Sequence, residues 1–509
     1  MGKQGMGKQG MSDDHDFSDF EAGIGGVRFG EASGHDEFSA DDFAPPEPEA
    51  PAHSDTFPPP FSLDGIDLLT PPGLVGDVAA WIDSQCRYPR RRLAVASAIV
   101  TVGNIGGLRH EDTRDGVTGN MLAFCVAASA TGKEAVQQAM ADLHVAAGIH
   151  YALQGGIKSE QEIMRNLIEH QAAFYIVDEI GIFLNKVRNA QKRGGAAYLE
   201  GVFGAIMSAY SKANSRLLLQ GDTKRELRKA FGANVARAQD DGDAVAEERA
   251  VRMLRMIDEG LERPFLSAVG YTTPSTFDGI MDGETATQGF VGRALIVTET
   301  DNNPAERDGF KKRPLSEGLA MRLAQINHGG NFDVMAGRGA RVEYLGDREP
   351  VTTDDEASGM LTAISKWLHG YAEEMGEHTG EASVAMIRRS YEMIAKVSFI
   401  LAMPTGRRTA DHVRWAFAYV RAELDAKIKL VFANDNSRDR PEESLAARIV
   451  NFIDPEKGAT TAVLANRLKL TATDLEPILQ KMAGAGLIAA KDGKRSYRGK
   501  KLTVWMLAG

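Results

Sequence analysis

The sequence has very little cysteine and no long apolar run, and each absence excludes a class of protein. Its 509 residues include two cysteines, Cys86 and Cys125, and no closely spaced Cys/His group. This argues against a disulfide framework and against a structural zinc site. No run of about 18 apolar residues occurs, and the acidic start does not resemble a signal peptide. We therefore expect a protein of a reducing cytoplasm.

The chain also lacks an excess of positive charge, since its formal net charge is −11. That charge is unevenly distributed, because residues 1–60 contain thirteen Asp/Glu and three Lys/Arg, a balance of −10. The remaining chain is almost neutral, so the net charge does not exclude nucleic-acid binding. Residues 1–60 are also rich in Pro, Gly and Ser and poor in apolar residues. They are predicted to form a disordered acidic arm.

Hydrophobic residues make up 43% of the chain and charged residues 25%, as in ordinary folded proteins. The length predicts two or three folded units. Residues 61–115 form a predicted helical region, in which Leu74, Val78, Trp81 and Ile82 share one face. Residues 116–345 alternate apolar strands with helices, which indicates an α/β core with a parallel sheet. The predicted strands are MLAFCVAA (121–128), AFYIV (173–177), PFLSAVG (264–270) and RALIVTE (293–299).

Two further units follow this core. Residues 346–435 show helical periodicity throughout and predict a helical subdomain. Residues 443–509 contain three predicted helices and a hairpin with a strong excess of Lys and Arg, which is the pattern of a winged helix. The residues from His110 to Gly119 are predicted to form a polar turn.

A candidate phosphate-binding loop follows the first predicted strand. It consists of Ser129, Ala130, Thr131, Gly132 and Lys133, and it leads directly into a helix. Strand, short turn, lysine and helix N-terminus are the parts that bind phosphate through backbone N–H groups and the helix dipole. The letters match the usual motif only in part, because Ala127 replaces its first glycine and Glu134 replaces its Ser/Thr.

A pair of carboxylates ends the second predicted strand, 45 residues beyond the lysine. Asp178 and Glu179 follow the apolar stretch AFYIV, where a P-loop enzyme places a magnesium-holding Asp and a water-activating Glu. The alternative interpretation makes them solvated residues at the start of the next helix. The order and separation of the two elements favour a P-loop NTPase core.

The chain resembles a known family in several stretches that occur in the family's order. They are PPGLVGDVAAWI before the core, GGIKSEQEIMRNLIEH ahead of the acidic strand, and then GYTTPSTF and GFVGRALIV. The family is that of the phage and prophage replication ATPases, which are primase-associated P-loop helicases with a RecA/AAA+-like core. The resemblance covers residues 71–432. It implies ATP-driven unwinding by a homo-oligomeric ring, expected to be a hexamer, which moves on single-stranded DNA in a bacterial or phage-infected cell.

The resemblance also implies roles for individual residues, with ATP and Mg²⁺ as cofactors. Lys133 would contact the β- and γ-phosphates, Asp178 would hold magnesium through water, and Glu179 would orient the attacking water. Arg293 resembles the arginine that ring ATPases present to a neighbour's γ-phosphate. Thr272, with Thr273, stands where a polar phosphate sensor is common, and Arg388 resembles a second sensor in the helical subdomain.

Glu134 has two interpretations. A carboxylate beside a triphosphate repels it unless a divalent ion lies between them. Glu134 is therefore either a magnesium ligand, which the resemblance favours, or the mark of a nucleotide-binding protein with impaired hydrolysis.

Two sets of cations are candidates for DNA binding. One set lies in a Gly-rich stretch after the acidic strand and consists of Lys186, Arg188, Lys192 and Arg193. The other lies in the C-terminal hairpin and includes Lys494, Arg495, Arg498 and Lys500. Both suit contacts to a phosphate backbone. Solvated loops and a protein-docking winged helix are the alternatives, and the cluster Lys224, Arg225, Arg228 and Lys229 is open to the same two interpretations.

The predicted function is an ATP-dependent replicative DNA helicase. One alternative is a DNA-binding or loader protein that hydrolyses ATP weakly or not at all, and another is a packaging or partition ATPase. The acidic arm, with Phe17, Phe20 and Phe43, is interpreted as a docking motif for a primase or another replication protein, as a decoy that occupies the DNA channel, or as a solubilising segment.

Overall fold

The computed structural model describes residues 57–507 with several gaps. The positions outside it are 130, 185–196, 279–289, 302, 329–347, 380, 440–448, 451, 454–457, 469, 485–487 and 496–500. The chain divides into two units, residues 1–49 and residues 50–509, and the described residues belong to the second. No helix among the described residues is long and apolar enough to cross a membrane.

Two helices precede the sheet, as the sequence predicted. They are α1 (Leu74–Ser84) and α2 (Arg91–Gly106). The four residues predicted to share one face of α1 are all buried. Helix α2 is buried on nearly all sides, because it packs against α1 and against the central sheet. The helices therefore belong to the core rather than forming a detached cap.

The region predicted to be a polar turn contains a short strand instead. Strand β1 (His110–Asp112) pairs in parallel with a strand more than 200 residues later. His110 and Asp112 are buried although the sequence HED is polar. Asp112 lies 2.9 Å from a guanidinium nitrogen of Arg408, which is itself fully buried. The predicted turn is present from residue 113 onward. The strand before it was missed because an ion pair, and not an apolar pattern, accompanies its burial.

The first part of the core contains the candidate loop and the acidic strand. Its elements are β2 (Leu122–Val126), α3 (Lys133–Ala146), β3 (Leu153–Gln154), α4 (Glu160–His170), β4 (Ala172–Val177) and α5 (Ala197–Ser211). Every residue of β2 is buried, as expected for a strand covered on both faces. Ser159 is the N-cap residue of α4, and its hydroxyl accepts a hydrogen bond from Glu162 N.

A helical hairpin interrupts the core between the acidic strand and the next strand of the sheet. It consists of β5 (Arg216–Leu217), α6 (Gly221–Asp241), α7 (Ala244–Glu259) and β6 (Leu261–Glu262). Strands β5 and β6 pair antiparallel and close its base. The chain then returns to the sheet, so the two helices form an insertion in the core.

The rest of the core completes a five-stranded parallel sheet. Its elements are β7 (Phe265–Thr272), α8 (Pro274–Asp278), α9 (Phe290–Arg293), β8 (Ala294–Thr298) and α10 (Glu317–His328). The strand order is β3-β4-β7-β2-β8. Strand β7 is therefore the central strand, and β2 lies between β7 and the edge strand β8. The four strands predicted from sequence all belong to this sheet, and its fifth strand, the two-residue β3, was not predicted.

Strand register fixes which residues share an edge of the sheet. Val126 at the end of β2 pairs with Thr272 of β7 and with Thr298 of β8. Val177 at the end of β4 pairs with Gly270 of β7. Because all strands run in parallel, the candidate loop after β2 and the carboxylates after β4 emerge at the same edge.

The helical subdomain follows. Its elements are β9 (Glu349–Thr353), α11 (Asp355–Thr379), α12 (Glu381–Ala402), β10 (Arg407–Arg408) and α13 (Ala410–Asp439). Strands β1, β9 and β10 form a small parallel sheet that the sequence did not predict. One hydrophobic cluster joins α1, α2, the central sheet and α11 to α13. The regions on both sides of the predicted domain boundaries near residues 115 and 345 thus contribute to one hydrophobic cluster.

Helix α13 also closes the exposed edge of the central sheet. Strand β8 has a neighbour on one side only. On its other side Glu423 Oε2 accepts a hydrogen bond from Ile296 N at 2.8 Å, and Lys427 Nζ donates to Ala294 O. Both side chains are buried and replace the partners that another strand would offer.

The C-terminal unit has its own hydrophobic cluster around Leu464, Leu475, Leu479 and Trp505. Its elements are β11 (Ala459–Thr460), α14 (Thr461–Leu468), α15 (Ala472–Gly484), β12 (Ile488–Arg495) and β13 (Lys501–Leu507). Strands β12 and β13 form an antiparallel hairpin, with β11 added along β13. Helices followed by this hairpin make the predicted winged helix.

Candidate functional site

The candidate loop leads from β2 into α3 through a glycine in the left-handed region. Gly132 has φ 84° and is the N-cap residue of α3. No atom lies within 4 Å of the position that a Cβ would take there, so backbone conformation alone requires glycine. Thr131 Oγ1 donates to Ala128 O at 2.7 Å and tightens the turn. Ser129 is exposed, and Ala130 lies outside the described residues.

Lys133 lies beneath this loop and is buried. Its Nζ donates to Ala127 O and to Thr272 O, both at 3.2 Å. It also lies 3.9 Å from Glu179 Oε1. The ammonium group therefore sits where the ends of β2, β4 and β7 meet.

The two carboxylates after β4 have different surroundings. Asp178 is exposed, and its Oδ1 accepts a hydrogen bond from Gln137 Nε2 at 3.1 Å. Gln137 lies one turn after Lys133 on α3, so the same helix carries the loop lysine and the side chain that contacts Asp178. Glu179 is half-buried. Its backbone φ of 50° is unfavourable for residues other than glycine. Backbone strain of this kind is frequent at functional sites.

Glu134 is exposed in the first turn of α3. Negative charge is favourable at this helix end, so the residue is compatible with the fold whether or not it binds a metal. Among the described residues, no three His, Cys, Asp or Glu side chains lie together as a metal cage. Magnesium bound with a nucleotide needs only one or two carboxylates besides phosphates and water. The exposed carboxylates of Glu134 and Asp178 fit that requirement.

Thr272 reaches the loop through its main chain. Its carbonyl accepts from Ala127 N at 3.1 Å as well as from Lys133. Its side chain is fully buried, and a Cβ placed on Gly181 would lie 2.5 Å from Thr272 Oγ1. The hydroxyl thus faces the turn that carries the two carboxylates. Thr273 is half-buried, and its hydroxyl lies 2.9 Å from that of Thr276.

Sequence reasoning missed an arginine that supports the loop from outside the core motif. Arg90 is almost fully buried. Its Nε donates to Thr131 O and its Nη1 to Asp301 O, both at 2.6 Å. Its own backbone N donates to Asp83 Oδ1 at 2.7 Å. Arg90 therefore ties the phosphate loop to the segment after β8, and no local pattern distinguishes it from the neighbouring Arg91 and Arg92.

Glu299 is a second buried charge near the loop. Its backbone N donates to Val126 O at 2.8 Å, so it lies beside the end of β2. Burial raises the pKa of its carboxyl group, while the charges of Arg90 and Arg92 lower that pKa. A buried carboxyl group and the buried Arg90 guanidinium thus lie near the loop edge of the sheet.

Arg293 and Arg388 are not brought to Lys133. Arg293 immediately precedes β8, whose first residue, Ala294, pairs with Leu122 at the start of β2. The loop follows Val126 at the other end of β2. Four residues at about 3.3 Å each separate the two ends of these strands by about 13 Å. Arg388 is exposed on α12, and its neighbour Arg389 lies against Gly292. Both predicted arginines therefore belong to the opposite edge of the sheet.

Most of the predicted DNA-binding residues lie outside the described residues. These are Lys186, Arg188, Lys192, Arg193, Arg498 and Lys500, while Lys494 and Arg495 are described only as positions in β12. The second cation cluster begins α6. There Lys224 donates to Asp258 O at 2.9 Å, Arg228 pairs with the Asp258 carboxylate at 2.6 Å, and Arg225 pairs with Asp222. Three of its four cations thus have partners within the hairpin.

No protein-family model and no curated protein matches the chain. Among solved structures, it is similar to the Aeropyrum pernix Orc1 protein, which was solved in complex with DNA. The identity is 13% and the TM-score is 0.15, over 76% of this chain and 84% of that one. A TM-score of this size gives no basis for transferring structure or function. The interpretation of the site therefore depends on its own geometry.

That geometry is the arrangement of a P-loop NTPase core. A loop joins a buried inner strand to a helix N-terminus, its lysine lies in the first turn, and two carboxylates follow a nearby parallel strand. The predicted fold class is confirmed: an α/β P-loop core with a helical subdomain and a C-terminal winged helix.

Proposed function

We propose that this protein is a magnesium-dependent ATPase that acts on DNA as a replicative helicase. The observation that carries the proposal is the meeting of Lys133, Asp178 and Glu179 at one edge of the sheet. Lys133 Nζ lies 3.9 Å from Glu179, and Asp178 is held by Gln137 on the same helix as Lys133. A phosphate-binding cation, a metal-holding acid and a water-orienting acid are the parts that phosphoryl transfer needs.

Each residue then has a defined task. Lys133 exchanges its carbonyl partners for the β- and γ-phosphates, which offer stronger charge-assisted hydrogen bonds. Asp178 and Glu134 would hold magnesium, and the bound ion would supply positive charge against the phosphates. Glu179, released from Lys133, orients the attacking water and accepts its proton. Gln137 and Arg90 position Asp178 and the loop without contacting substrate.

The location of Arg293 favours hydrolysis between subunits. It lies at the edge of the sheet opposite its own loop, so the γ-phosphate that it can reach belongs to another copy of the chain. In related NTPases such an arginine contributes on the order of 10³ to 10⁵ in rate. This supports a homo-oligomeric ring, for which a hexamer is the expected size.

We assign the DNA contact to the winged helix and to the Gly-rich stretch NKVRNAQKRGG (185–195). Strand β12 ends at Lys494 and Arg495, beside the turn of the hairpin. Cations in this position suit backbone contacts with little sequence preference and strong salt dependence. A primase or another replication protein is the expected partner of the acidic arm, and a bacterial or phage-infected cytoplasm the expected location.

The second candidate is a DNA-binding or loader protein with little hydrolysis. The observation that favours it is Glu134, which stands where a hydroxyl ligand of magnesium is usual. Lys133 also has carbonyl and carboxylate partners that compete with phosphate. Under this alternative, nucleotide binding is weak and independent of magnesium.

One series of variants separates the two candidates. ATP turnover and fork unwinding are measured for the wild type, Lys133→Ala and Glu179→Gln, with and without single-stranded DNA and magnesium. The helicase predicts magnesium-dependent turnover that DNA stimulates, lost in both variants. Binding of ATP without magnesium, together with no wild-type turnover, would establish the second candidate instead.

A further inference from the structure

We propose that Arg216 and Arg263 form a binding site for a backbone phosphate of single-stranded DNA, beside the buried charge of Arg348. The site lies at the base of the helical hairpin, where β5 and β6 pair. The inference rests on the proposed action on DNA and assigns to it a contact that the sequence did not indicate.

Three arginines from distant parts of the chain meet at the turn that follows α5. Arg348 Nη1 donates to Asn214 Oδ1 at 3.0 Å. The backbone N of Arg263 donates to Ser215 O at 2.9 Å. Arg216 is the next residue and begins β5. The hydrogen bonds of this turn therefore bring the three arginines together.

Arg348 carries a positive charge that is buried without an ion pair among the described residues. The residue is 8% exposed. Its hydrogen bonds go to neutral oxygens, those of Asn214 Oδ1 and Ala213 O, and its Nε has no partner in the described part of the chain. Burial and the charge of Arg263 lower the pKa of the Arg348 guanidinium, whereas Glu111 raises it. Because an opposite charge stabilises a buried charge, this place attracts anions.

The other two arginines are accessible from solvent. Arg216 is exposed and Arg263 is half-buried. The Arg216 side chain donates to Glu259 O, a main-chain carbonyl, at 3.5 Å. Glu262 lies opposite Arg216 in the pairing of β5 with β6, yet no ion pair joins either arginine to Glu262 or to another residue that the structure describes. Both guanidinium groups thus keep donors for a ligand.

Arg263 holds a backbone conformation that arginine rarely adopts. Its φ is 47°, in the left-handed region that favours glycine. Asn and Asp tolerate this region because their short polar side chains form local hydrogen bonds, which arginine does not offer. Backbone strain is frequent at residues that bind ligands. The conformation therefore points to a role for the Arg263 side chain rather than for its backbone.

A phosphate group is the anion that these side chains fit best. The planar guanidinium fork binds phosphate oxygens in pairs, which a lysine ammonium does not. The turn is also an open surface, since Asn214 and Ser215 are exposed. A phosphate within a polymer backbone can reach such a surface without entering a cleft.

The phosphates of ATP bound at the loop are too far away to be the ligand. Arg263 lies two residues before β7, and Thr272 at the other end of β7 accepts a hydrogen bond from Lys133. Seven residues at about 3.3 Å each separate the two ends of β7 by about 23 Å. Among the ligands of the proposed function, DNA is therefore the source of the phosphate.

Salt-dependent DNA binding tests the site. Anisotropy of a fluorescent oligothymidylate gives Kd at several salt concentrations for the full-length wild type, Arg216→Met, Arg263→Met and the double variant. Each single change should weaken binding about tenfold, because it removes one charge-assisted contact. It should also reduce the slope of log Kd against log salt by about 0.7, and the double variant by about 1.4. Arg414→Met is the matched control, since Arg414 pairs with Asp411 on its own helix, and it should equal the wild type.

Arg263→Gly separates a role in binding from a role in folding. Glycine adopts a φ of 47° without strain, so this variant should unfold at the wild-type temperature or above it. Its DNA affinity should nevertheless fall as in Arg263→Met. Arg263→Lys keeps the charge without the fork and should retain more of the salt slope than Arg263→Met. Loss of stability together with affinity in Arg263→Gly would assign the residue a structural role and overturn the proposal.

ATP turnover and inorganic phosphate complete the test. DNA-free turnover of Arg263→Met should equal that of the wild type, because the site is remote from Lys133. Wild-type affinity and salt slope in either Arg216→Met or Arg263→Met overturn the proposal. Inorganic phosphate that raises the unfolding temperature of the wild type but not of Arg263→Met, relative to chloride at equal ionic strength, with an unchanged DNA slope, overturns it in favour of free phosphate. A wild type that binds no DNA refutes the proposed action on DNA itself.

Discussion

Lys133 Nζ and Glu179 Oε1 lie 3.9 Å apart, so the cation of the phosphate loop faces the acid that would orient water. Two main-chain carbonyls hold the same ammonium group. Under the proposed function, binding of ATP would replace these contacts and release Glu179. We therefore interpret the arrangement as a resting state, in which Lys133 engages the acid until nucleotide binds.

Glu179→Gln should bind ATP more tightly while losing hydrolysis. Removing the carboxylate frees Lys133 from a partly exposed ion pair, and such pairs contribute up to about 1 kcal/mol, or about fivefold in affinity. Turnover should fall at least about 100-fold, because the water loses its base. Equilibrium binding of a fluorescent ATP analogue and steady-state turnover measure the two effects. Asp142→Asn, an exposed acid on the same helix, serves as control; weaker binding by Glu179→Gln would contradict the resting-state interpretation.

Arg90→Met should raise KM for ATP more than it lowers kcat. The change leaves the carbonyls of Thr131 and Asp301 without their donor, and for the buried Thr131 carbonyl an unsatisfied group costs about 1 to 3 kcal/mol. Arg90→Lys should restore part of the affinity, because one ammonium can reach only one of the two carbonyls well. The exposed Arg87, which pairs with Glu306, provides the control Arg87→Met. An unchanged KM in Arg90→Met would show that the loop does not need this support.

Replacing Glu423 or Lys427 alone should destabilise the protein more than replacing both. Each single change leaves the other buried group without its opposite charge, which typically costs about 3 to 5 kcal/mol. The double variant Glu423→Leu/Lys427→Met removes both charges and should recover part of that loss. Urea unfolding of the three variants measures the coupling. Additive losses would mean that the two side chains hold β8 independently.

His144 should make the fold sensitive to acid. The ring is fully buried, with Nδ1 2.7 Å from Met140 O and Nε2 3.2 Å from the Asn104 amide nitrogen. Burial lowers the pKa of His144 from 6.5 to about 4. Between these values the unfolded chain binds a proton that the folded protein does not, so stability falls as pH drops from 6.5 towards 4.

The expected loss from His144 at pH 5.5 is about 1 kcal/mol relative to neutral pH. Urea unfolding at pH 7.5 and pH 5.5 measures it. His144→Gln retains a polar group of similar length without a titrating ring, so its stability should change less between the two pH values. An equal change in both proteins would locate the acid sensitivity elsewhere.

The main strands and the loop were predictable because their signals are local. Strand β2 is a run of apolar residues followed at once by a glycine-lysine turn, and β4 is a run that ends in two carboxylates. The polar strand β1 was not predictable, because Arg408 from the far end of the chain buries Asp112. Gln137 was not predicted as a site residue, because its partner Asp178 lies 41 residues away along the chain.

The sequence by itself determined the α/β class, the position of the phosphate loop and the order of its lysine and acids, because backbone conformation and apolar periodicity are properties of neighbouring residues. Only the tertiary structure decided which side chains serve the site. Strand order and register place Arg90 at the loop and send Arg293 and Arg389 to the opposite edge of the sheet. Those placements depend on contacts between residues far apart along the chain, and no local pattern encodes such contacts.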